Sequence, residues 1–237
     1  MVFSAILAGG TGNRMGNTDK PKQFLCVKDK PIIIHTIEKF LSIPEFEKVI
    51  VLSPKQWIEY TNQIINKHIG ICDKVVVVEG GSTRNETIMN AISYIDNSFG
   101  LDDDTVIVTH DSVRPFVSRR IIIENIDAAK ACGACDTVIP ATDTIVESTN
   151  GDVITSIPQR MNMYQGQTPQ SFKAKQLRDI YMSLTNDEKD ILTDAAKILV
   201  MKGYDVKLIQ GETYNIKITY PYDLRIAKSL LEEEEND

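Results

Sequence analysis

The feature that most constrains the fold of this chain is a regular alternation of two hydrophobic patterns. Short apolar, β-branched runs predict buried strands at Val2–Leu7, Lys48–Leu52, Lys74–Val78, Thr105–His110 and Thr137–Pro140. Between them, apolar residues spaced three or four apart predict helices at Ile32–Leu41, Gln56–Lys67, Asn85–Ile95 and Arg119–Ala131. This alternation predicts an α/β fold, with a Rossmann-like, mostly parallel sheet and helices on both faces.

The second half of the chain departs from this pattern. Two short alternating segments around Asn150-Gly151 predict a protruding β-hairpin arm at about 141–160. An isolated hairpin is marginally stable in water, so we expect it to pack on a second subunit. The remaining predictions are a loop at Gln159–Gln170, helices around Ala174–Leu184 and Asp194–Met201, strands at Val206–Gln210 and Asn215–Thr219, and a final helix beginning at Pro221. We expect residues 1–237 to form one domain.

Charge and composition exclude several classes of partner. The 26 basic and 33 acidic residues give a net charge of −7, which disfavours binding to nucleic acid or to an anionic membrane. A signal peptide and a long apolar span are both missing from the sequence, and four cysteines are too few for a disulfide scaffold in a chain of this length. These observations favour a cytoplasmic protein.

A glycine-rich segment follows the first predicted strand. In Leu7-Ala-Gly-Gly-Thr-Gly-Asn-Arg-Met-Gly, the glycines allow backbone amides to approach a ligand. Arg14 and Lys22 add cations suited to a polyphosphate. The segment lacks the terminal Gly-Lys-Ser/Thr of a Walker loop, and its spacing fails the dinucleotide fingerprint.

Two further strand ends carry similar chemistry. Gly80-Gly-Ser-Thr-Arg precedes a helix whose N-terminus favours anions. Asp111 follows a predicted central strand, and a carboxylate beside two phosphate loops is the expected ligand for Mg²⁺. The alternatives are a capped helix start and an Asp111–Arg114 ion pair. We interpret His110 as structural, and likewise the Cys132/Cys135 pair, whose position after a helix is the reverse of a redox motif.

These motifs belong to a longer ordered set. Its members are Leu7-Ala-Gly-Gly, Arg14, Pro21-Lys22-Gln23, Arg84-Asn85, His110-Asp111, Arg114-Pro115, Asp143-Thr144, Thr168-Pro169-Gln170 and Asn215-Ile216-Lys217. In this order the chain resembles the cytidylyltransferases of the methylerythritol-phosphate and ribitol-phosphate pathways over nearly its whole length. His110-Asp-Ser-Val-Arg-Pro-Phe, Tyr164-Gln-Gly-Gln-Thr-Pro-Gln and Ile191-Leu-Thr-Asp-Ala resemble the ribitol branch more closely.

The resemblance implies a nucleotidyltransferase that uses CTP and Mg²⁺, acts on ribitol 5-phosphate for teichoic acid or capsule synthesis, and forms a homodimer through the arm. It implies catalytic roles for Arg14, Lys22, Arg160 and Lys217. The implied nucleotide site comprises Leu7, Ala8, Gly9, Gly10, Gly81, Ser82, Thr83, Arg84, Asn85, Glu86, Thr87, Asp111 and Ser112, with Asp111 also holding the metal. The implied acceptor site adds Arg114, Thr144, Thr168 and Thr193.

Three other functions compete with this one. The first is the same transfer with 2-C-methyl-D-erythritol 4-phosphate as acceptor. The second is a non-catalytic nucleotide-sensing module, and retention of Arg14, Lys22, Asp111, Arg160 and Lys217 argues against it. The third is an NAD-dependent reductase, which the failed fingerprint disfavours. Some organisms pair the ribitol-branch enzyme with a reductase that makes ribitol 5-phosphate, and the sequence leaves open whether such a partner binds this chain.

Overall fold

The computed structural model describes residues 1–10, 15, 16 and 19–234. Its main strands are β1 (Val2–Leu7), β4 (Lys48–Ser53), β5 (Val75–Glu79), β6 (Val106–Asp111), β7 (Ala134–Pro140), β8 (Tyr164–Lys173) and β9 (Lys207–Gln210), and β2 (Cys26–Val27) pairs with β3 (Lys30–Pro31) in a separate small sheet. Its helices are α1 (Ile32–Leu41), α2 (Ile58–His68), α3 (Arg84–Phe99), α4 (Arg119–Cys132), α5 (Ala174–Met182), α6 (Asn186–Asp190), α7 (Ala195–Met201) and α8 (Pro221–Glu234).

The seven main strands form one sheet in the order β5-β4-β1-β6-β8-β7-β9. All neighbouring pairs are parallel except those made by β8, which runs antiparallel to both β6 and β7. The mostly parallel sheet predicted from the sequence is therefore confirmed. Parallel strands are covered on both sides, and this is why β1 and β4 read as continuous apolar runs.

Two apolar cores lie on opposite faces of the sheet. One joins α1, α2 and α4 to residues such as Ile6 and Val51. The other joins α3, α5 and α7 to Phe3, Ile107 and Phe172. Adjacent residues of one strand enter different cores because side chains alternate between faces. In the part of the chain that is described, no helix is long and apolar enough to span a membrane.

The strand order places a ligand-binding crevice between β1 and β6. From β1 the chain moves outward to β4 and β5, and then crosses over to β6 on the opposite side of β1. Leu7, at the end of β1, is the register partner of Asp111, at the end of β6. Parallel α/β sheets bind ligands at such a switch point, beyond the carboxyl ends of the strands.

The prediction of a loop at Gln159–Gln170 is wrong, because β8 occupies most of this segment. The sequence Tyr-Gln-Gly-Gln-Thr-Pro-Gln has low strand propensity, and Pro169 cannot donate to a ladder. The β7–β8 pairing shifts register between Asp136 and Val138, which is where the proline is accommodated. The flanking strands β6 and β7 thus impose an extended conformation that the local sequence does not favour.

The arm exists, but its two predicted strands do not form. Across 141–163, all of which the structure describes, pairing is limited to one antiparallel bridge between Glu147 and Ser156. The predicted turn is present, with Asn150 Oδ1 accepting hydrogen bonds from the amides of Asp152 and Val153. The side chains of the two predicted strands have no surface to pack against within one chain, so the hairpin remains irregular.

The predicted strand at Asn215–Thr219 is also wrong. These five residues, all described, form no regular secondary structure and join no sheet. Ile218 instead donates its amide hydrogen to the carbonyl of Val113, 2.9 Å away. The segment therefore crosses the end of the sheet next to the β6 loop, where it takes part in the site.

Candidate functional site

A cavity of about 480 Å³ lies at the switch point beyond β1 and β6. Its lining residues come from five separate parts of the chain: Leu7, Gly9, Gly10, Lys22, Gln23, Gly81, Ser82, Thr83, Arg84, Thr87, Asp111, Ser112, Val113, Lys217 and Thr219. The three strand-end segments identified in the sequence therefore meet in one place, as do Lys22 and Lys217.

The glycines of the first loop leave space rather than relieve crowding. A Cβ added to Gly9 or Gly10 would have no described atom within 4 Å. Both residues line the cavity, so a side chain there would project into free volume that a ligand could occupy. This arrangement fits the predicted approach of backbone to a bound nucleotide.

Gly81 is required for a different reason. A Cβ at this position would lie 2.4 Å from Cβ of Glu86 and 2.8 Å from its carbonyl carbon. The second glycine loop therefore packs directly against the first turn of α3. Only glycine permits this close approach without movement of the helix.

The first turn of α3 is fixed by a capping box. The Thr83 hydroxyl accepts a hydrogen bond from the Glu86 amide at 3.1 Å, and the Glu86 carboxylate accepts one from the Thr83 amide at 3.2 Å. The side chain of Thr87 reaches back to the Gly81 amide at 3.0 Å. The N-terminus of this 16-residue helix thus meets the cavity in a defined orientation, which favours an anionic ligand.

Asp111 is surrounded by three cations. Its carboxylate lies 2.5 Å from Arg84 Nη1, 3.0 Å from Lys217 Nζ and 3.6 Å from Arg114 Nε. Burial alone would raise the pKa of Asp111, but Arg84, Lys217 and Arg114 together hold it well below its usual range. Asp111 is therefore ionised, and the cluster carries an excess of positive charge.

A buried hydrogen-bond chain holds Asp111 and Arg114 in place. The Asp111 amide donates to Thr168 Oγ1 at 3.2 Å, and Thr168 Oγ1 lies 2.9 Å from His110 Nδ1. Nε2 of His110 lies 3.0 Å from the carbonyl of Arg114, which can only accept. Burial lowers the pKa of His110 to about 4, so the ring is neutral. Nε2 therefore carries the proton, and Nδ1 accepts from Thr168.

The segment Asn215–Thr219 forms part of the cavity wall through Lys217 and Thr219. Lys22 Nζ donates to the Ile218 carbonyl at 2.9 Å, and Arg114 Nη1 donates to the Asn215 carbonyl at 2.7 Å. Asn215 in turn donates to the carbonyl of Thr168 at 2.9 Å. These bonds place Lys217 above Asp111 and link residues that are far apart in the sequence.

Other predicted site residues lie around the cavity rather than in it. Ala8, Asn85, Glu86, Arg114 and Thr168 do not line the cavity, and the contacts above show that Glu86, Arg114 and Thr168 hold its lining segments in place. Thr144 and Arg160 are exposed on the arm, where Arg160 Nη1 donates to the Thr142 carbonyl. Thr193 is exposed just before α7. Arg14 lies outside the described residues.

Three cavity residues had no role in the sequence analysis. Gln23 is buried, and its amide donates to the Ala8 carbonyl at 2.7 Å, which fixes the first glycine loop. Val113 and Thr219 line the opposite side. All three lie beside predicted site residues, since Gln23 follows Lys22, Val113 lies between Ser112 and Arg114, and Thr219 lies two residues after Lys217.

Asp111 is the residue that could hold a metal ion. Among the described residues no group of three or more His, Cys, Asp or Glu side chains converges. A protein cage for a metal is thus missing from this part of the chain. Mg²⁺, however, commonly takes one carboxylate together with phosphate oxygens and waters, so a single aspartate beside a phosphate site fits it.

The sheet topology and the cationic cavity at strand ends define a nucleotidyltransferase-like α/β protein. Residues 2–233 match the family model for 2-C-methyl-D-erythritol 4-phosphate cytidylyltransferase (IspD). The chain therefore belongs to this family.

Solved structures agree with this assignment. The 2-C-methyl-D-erythritol 4-phosphate cytidylyltransferase of Francisella tularensis is 30% identical, with a TM-score of 0.80 over 96% of this chain and 98% of that one. The enzyme of that name from Thermus thermophilus is 26% identical, with a TM-score of 0.72 over 97% and 98%. A 4-diphosphocytidyl-2C-methyl-D-erythritol synthase from Anaerococcus prevotii, 24% identical, shares the fold with a TM-score of 0.79 over 98% and 96%.

Proposed function

We propose that this protein transfers CMP from CTP to the phosphate of an open-chain polyol monophosphate and releases pyrophosphate. The observation that carries the proposal is the concentration of Lys22, Arg84, Arg114 and Lys217 around one cavity, in a chain whose net charge is −7. Both substrates are polyanions that repel each other. A local excess of positive charge is what such a reaction needs.

The nucleotide would occupy the side of the cavity formed by the two glycine loops. Gly9 and Gly10 leave room for it, and the positive end of the α3 helix dipole would favour its phosphates. Leu7, Ser112 and the residues from Gly81 to Thr87 complete this proposed subsite. Lys22 and, by the family resemblance, Arg14 would contact the triphosphate.

The proposed chemistry needs no general base. An oxygen of the acceptor phosphate, already ionised, forms the new bond to the α-phosphorus of CTP, and the bond from that phosphorus to the bridging oxygen of pyrophosphate breaks. Lys22 would stabilise charge on the α-phosphoryl oxygens and the leaving group. Lys217 would orient the attacking phosphate. The neutral His110 would keep Asp111 and Arg114 positioned.

Mg²⁺ would be held by Asp111 and would neutralise charge on the triphosphate when bound. Phosphate oxygens also offer a second set of anionic partners to Arg84 and Lys217, which both contact Asp111 in the structure. Arg84 and Lys217 could therefore exchange their contacts with Asp111 for contacts with phosphate oxygens while they remain at the cavity.

Two acceptors compete, and different observations support them. The three sequence segments that resemble the ribitol branch support D-ribitol 5-phosphate, for teichoic acid or capsule synthesis, and we infer this acceptor from them. The family model and the solved structures from Francisella tularensis and Thermus thermophilus are named for methylerythritol 4-phosphate and support that acceptor better. Both molecules are monophosphates of short polyols, so both suit the same chemistry.

We further infer that the arm joins two copies of the chain. Its apolar side chains are exposed: Val146, Val153, Ile154, Ile157 and Met161. Exposed apolar groups clustered on one projection favour an interface, and a second arm would supply the packing that the irregular hairpin lacks. Such a dimer would carry Thr144 and Arg160, both exposed on the arm, toward the partner's cavity.

The proposed function is tested by measuring pyrophosphate release with each of four nucleoside triphosphates and three acceptors: D-ribitol 5-phosphate, 2-C-methyl-D-erythritol 4-phosphate and glycerol 3-phosphate. Mass spectrometry identifies the product. We expect release with CTP and a polyol phosphate together, and fastest with ribitol 5-phosphate. Faster release with methylerythritol 4-phosphate would assign the second acceptor. Nucleotide binding without release would indicate a sensing module instead.

A further inference from the structure

A polar group that the proposed chemistry does not use lies on the same face of the sheet as Asp111. Thr109 of β6, Gln170 of β8 and Asp136 of β7 are register partners in one row across the sheet. Asp111 follows Thr109 by two residues, so its side chain projects from the same face. Asp136 therefore lies beside the site, two strands away from β6, at a lateral distance of about 10 Å.

Asp136 and Gln170 each have one side-chain oxygen that accepts no hydrogen bond from the residues that the structure describes. Oδ1 of Asp136 and Oε1 of Gln170 are both buried and unpaired among the described residues. Gln170 is only 3% exposed, and it lies next to Asp136 in the ladder. Buried polar atoms are nearly always paired, so these two oxygens indicate a missing donor.

The surroundings of this pair limit what the donor can be. Towards the interior, the same face continues into the apolar core with Ile107, Ala134 and Phe172, which supply no donor. A phosphate group has only acceptors at neutral pH, and a methyl group has neither donors nor acceptors. An alcohol hydroxyl group donates one hydrogen bond and suits a carboxylate beside an amide oxygen.

Charged groups from three elements act on Asp136. Burial, aided by the charge of Asp194 at the start of α7, raises the pKa of Asp136 to about 7, against the opposing effects of a hydrogen bond from Gln170 and the charge of Arg84 on α3. Asp194 directly follows Thr193, which the family resemblance assigns to the acceptor. Burial lowers the pKa of Arg114, in the loop after β6, and the charge of Asp136 opposes this effect.

We propose that Asp136, together with Gln170, binds hydroxyl groups of the acceptor's polyol chain and selects acceptors that carry them far from the phosphate. The inference rests on the proposed transfer to a polyol phosphate and adds a specificity determinant to it. With its phosphate held at Lys217, a longer polyol chain would extend its hydroxyl groups farther toward Asp136 than a three-carbon chain does.

The test compares three variants of the full chain. Asp136→Val removes both oxygens and suits a strand, and Asp136→Asn removes the charge alone. Asp127→Asn, an exposed aspartate on α4, is the matched control. The measurements are kcat and KM for CTP, D-ribitol 5-phosphate and glycerol 3-phosphate, together with the melting temperature.

We expect Asp136→Val to raise the KM for ribitol 5-phosphate about 10- to 100-fold, the loss of a hydrogen bond to a charged group. The KM for CTP and the slow use of glycerol 3-phosphate should not change. The melting temperature should change little, because the variant removes the unpaired oxygen of Asp136 together with the acceptor of the hydrogen bond from Gln170. Asp136→Asn should fall between Asp136→Val and wild type.

Three outcomes overturn the inference and can be distinguished. If the wild type uses polyol phosphates and Asp136→Val leaves the KM for ribitol 5-phosphate unchanged, or raises the KM for CTP equally, Asp136 does not select the acceptor. If Asp136→Val lowers the melting temperature and Asp136→Asn has normal kinetics, its role is structural. If the wild type transfers CMP to no polyol phosphate, the proposed function itself fails and the inference fails with it.

Discussion

The ammonium group of Lys217 lies 3.0 Å from the carboxylate of Asp111, although the two residues come from distant parts of the chain. Lys217 lies in a segment that is held by the backbone hydrogen bonds of Ile218 and Asn215. Asp111 is the last residue of the central strand β6, and its amide donates to Thr168. The contact therefore shows that the C-terminal segment has docked on the switch point.

Asp111→Asn should destabilise the protein, because Arg84 and Arg114 would lose a buried anion. We expect a loss of about 2–3 kcal/mol at neutral pH, somewhat below the usual cost of breaking a buried pair, since Lys217 is 40% exposed. The pKa of Asp111 is lowered in the folded state, so its stabilisation is complete above the unfolded value of about 3.9 and is lost as the pH falls below it.

Urea denaturation of wild type and Asp111→Asn between pH 3 and pH 8 measures this effect. The difference between the two proteins should stay constant above about pH 5 and shrink in acid. Asp104→Asn, which removes an exposed ion pair with Lys173, should cost less than about 1 kcal/mol. An Asp111 difference that grows in acid would show that the carboxylate is not held by cations.

The two glycine loops should respond differently to alanine. Gly81→Ala forces a Cβ against Glu86 and should lower the melting temperature by several degrees. Gly9→Ala meets no described protein atom and should leave stability unchanged while it raises the KM for CTP. Thermal unfolding and steady-state kinetics of both variants check this. Equal effects on stability and on CTP would contradict the assignment of Gly9 to a ligand cradle.

Lys22→Met should lower kcat about 100- to 1,000-fold, as loss of a donor to a charged transition state does, and change the KM for CTP little. Lys22 is buried and bonded to the Ile218 carbonyl, so circular dichroism should accompany the kinetics. Lys30→Met, which breaks an ion pair with Glu38, is the control. A Lys22 variant with normal kcat and weaker CTP binding would assign Lys22 to ground-state binding alone.

Mixed dimers test whether Arg160 acts on the partner's cavity. Arg160→Ala and Lys22→Met chains should each be nearly inactive, with the Arg160 defect confined to use of the acceptor. Co-refolding them in equal amounts should restore about a quarter of wild-type activity, because half of a random mixture is mixed dimers with one intact site each. No recovery, with mixed dimers present by mass spectrometry, would place Arg160 in its own chain's function.

The parallel half of the sheet could be predicted because its strands are buried on both faces and carry their own β-branched residues. β8 could not, because its polar, proline-containing sequence is extended only through pairing with β6 and β7. The two strands predicted for the arm failed for the opposite reason. Their sequence favours pairing, but a single chain gives them nothing to pack against.

The same distinction applies to the site. Loops at the ends of parallel strands converge by topology, so Gly9, Gly81, Arg84 and Asp111 could be brought together from the sequence. The hydrogen-bond chain from Asp111 through Thr168 to His110 depends on the position of β8 and on the tautomer of the buried His110 ring, and neither can be predicted from a sequence. The sequence analysis assigned no role to Asp136, because nothing in a sequence distinguishes a carboxylate inside β7 from one on the protein surface.

We infer that one cavity holds both phosphorylated substrates, with CTP at Lys22 and the acceptor phosphate at Lys217. The most direct measurement is the initial rate of pyrophosphate release at varied concentrations of CTP and polyol phosphate, in wild type and Lys217→Met. We expect release that requires and saturates with both substrates, and a Lys217→Met variant with a much higher KM for the acceptor and an unchanged KM for CTP. Release from CTP without an acceptor, or an unchanged acceptor requirement in Lys217→Met, would contradict it.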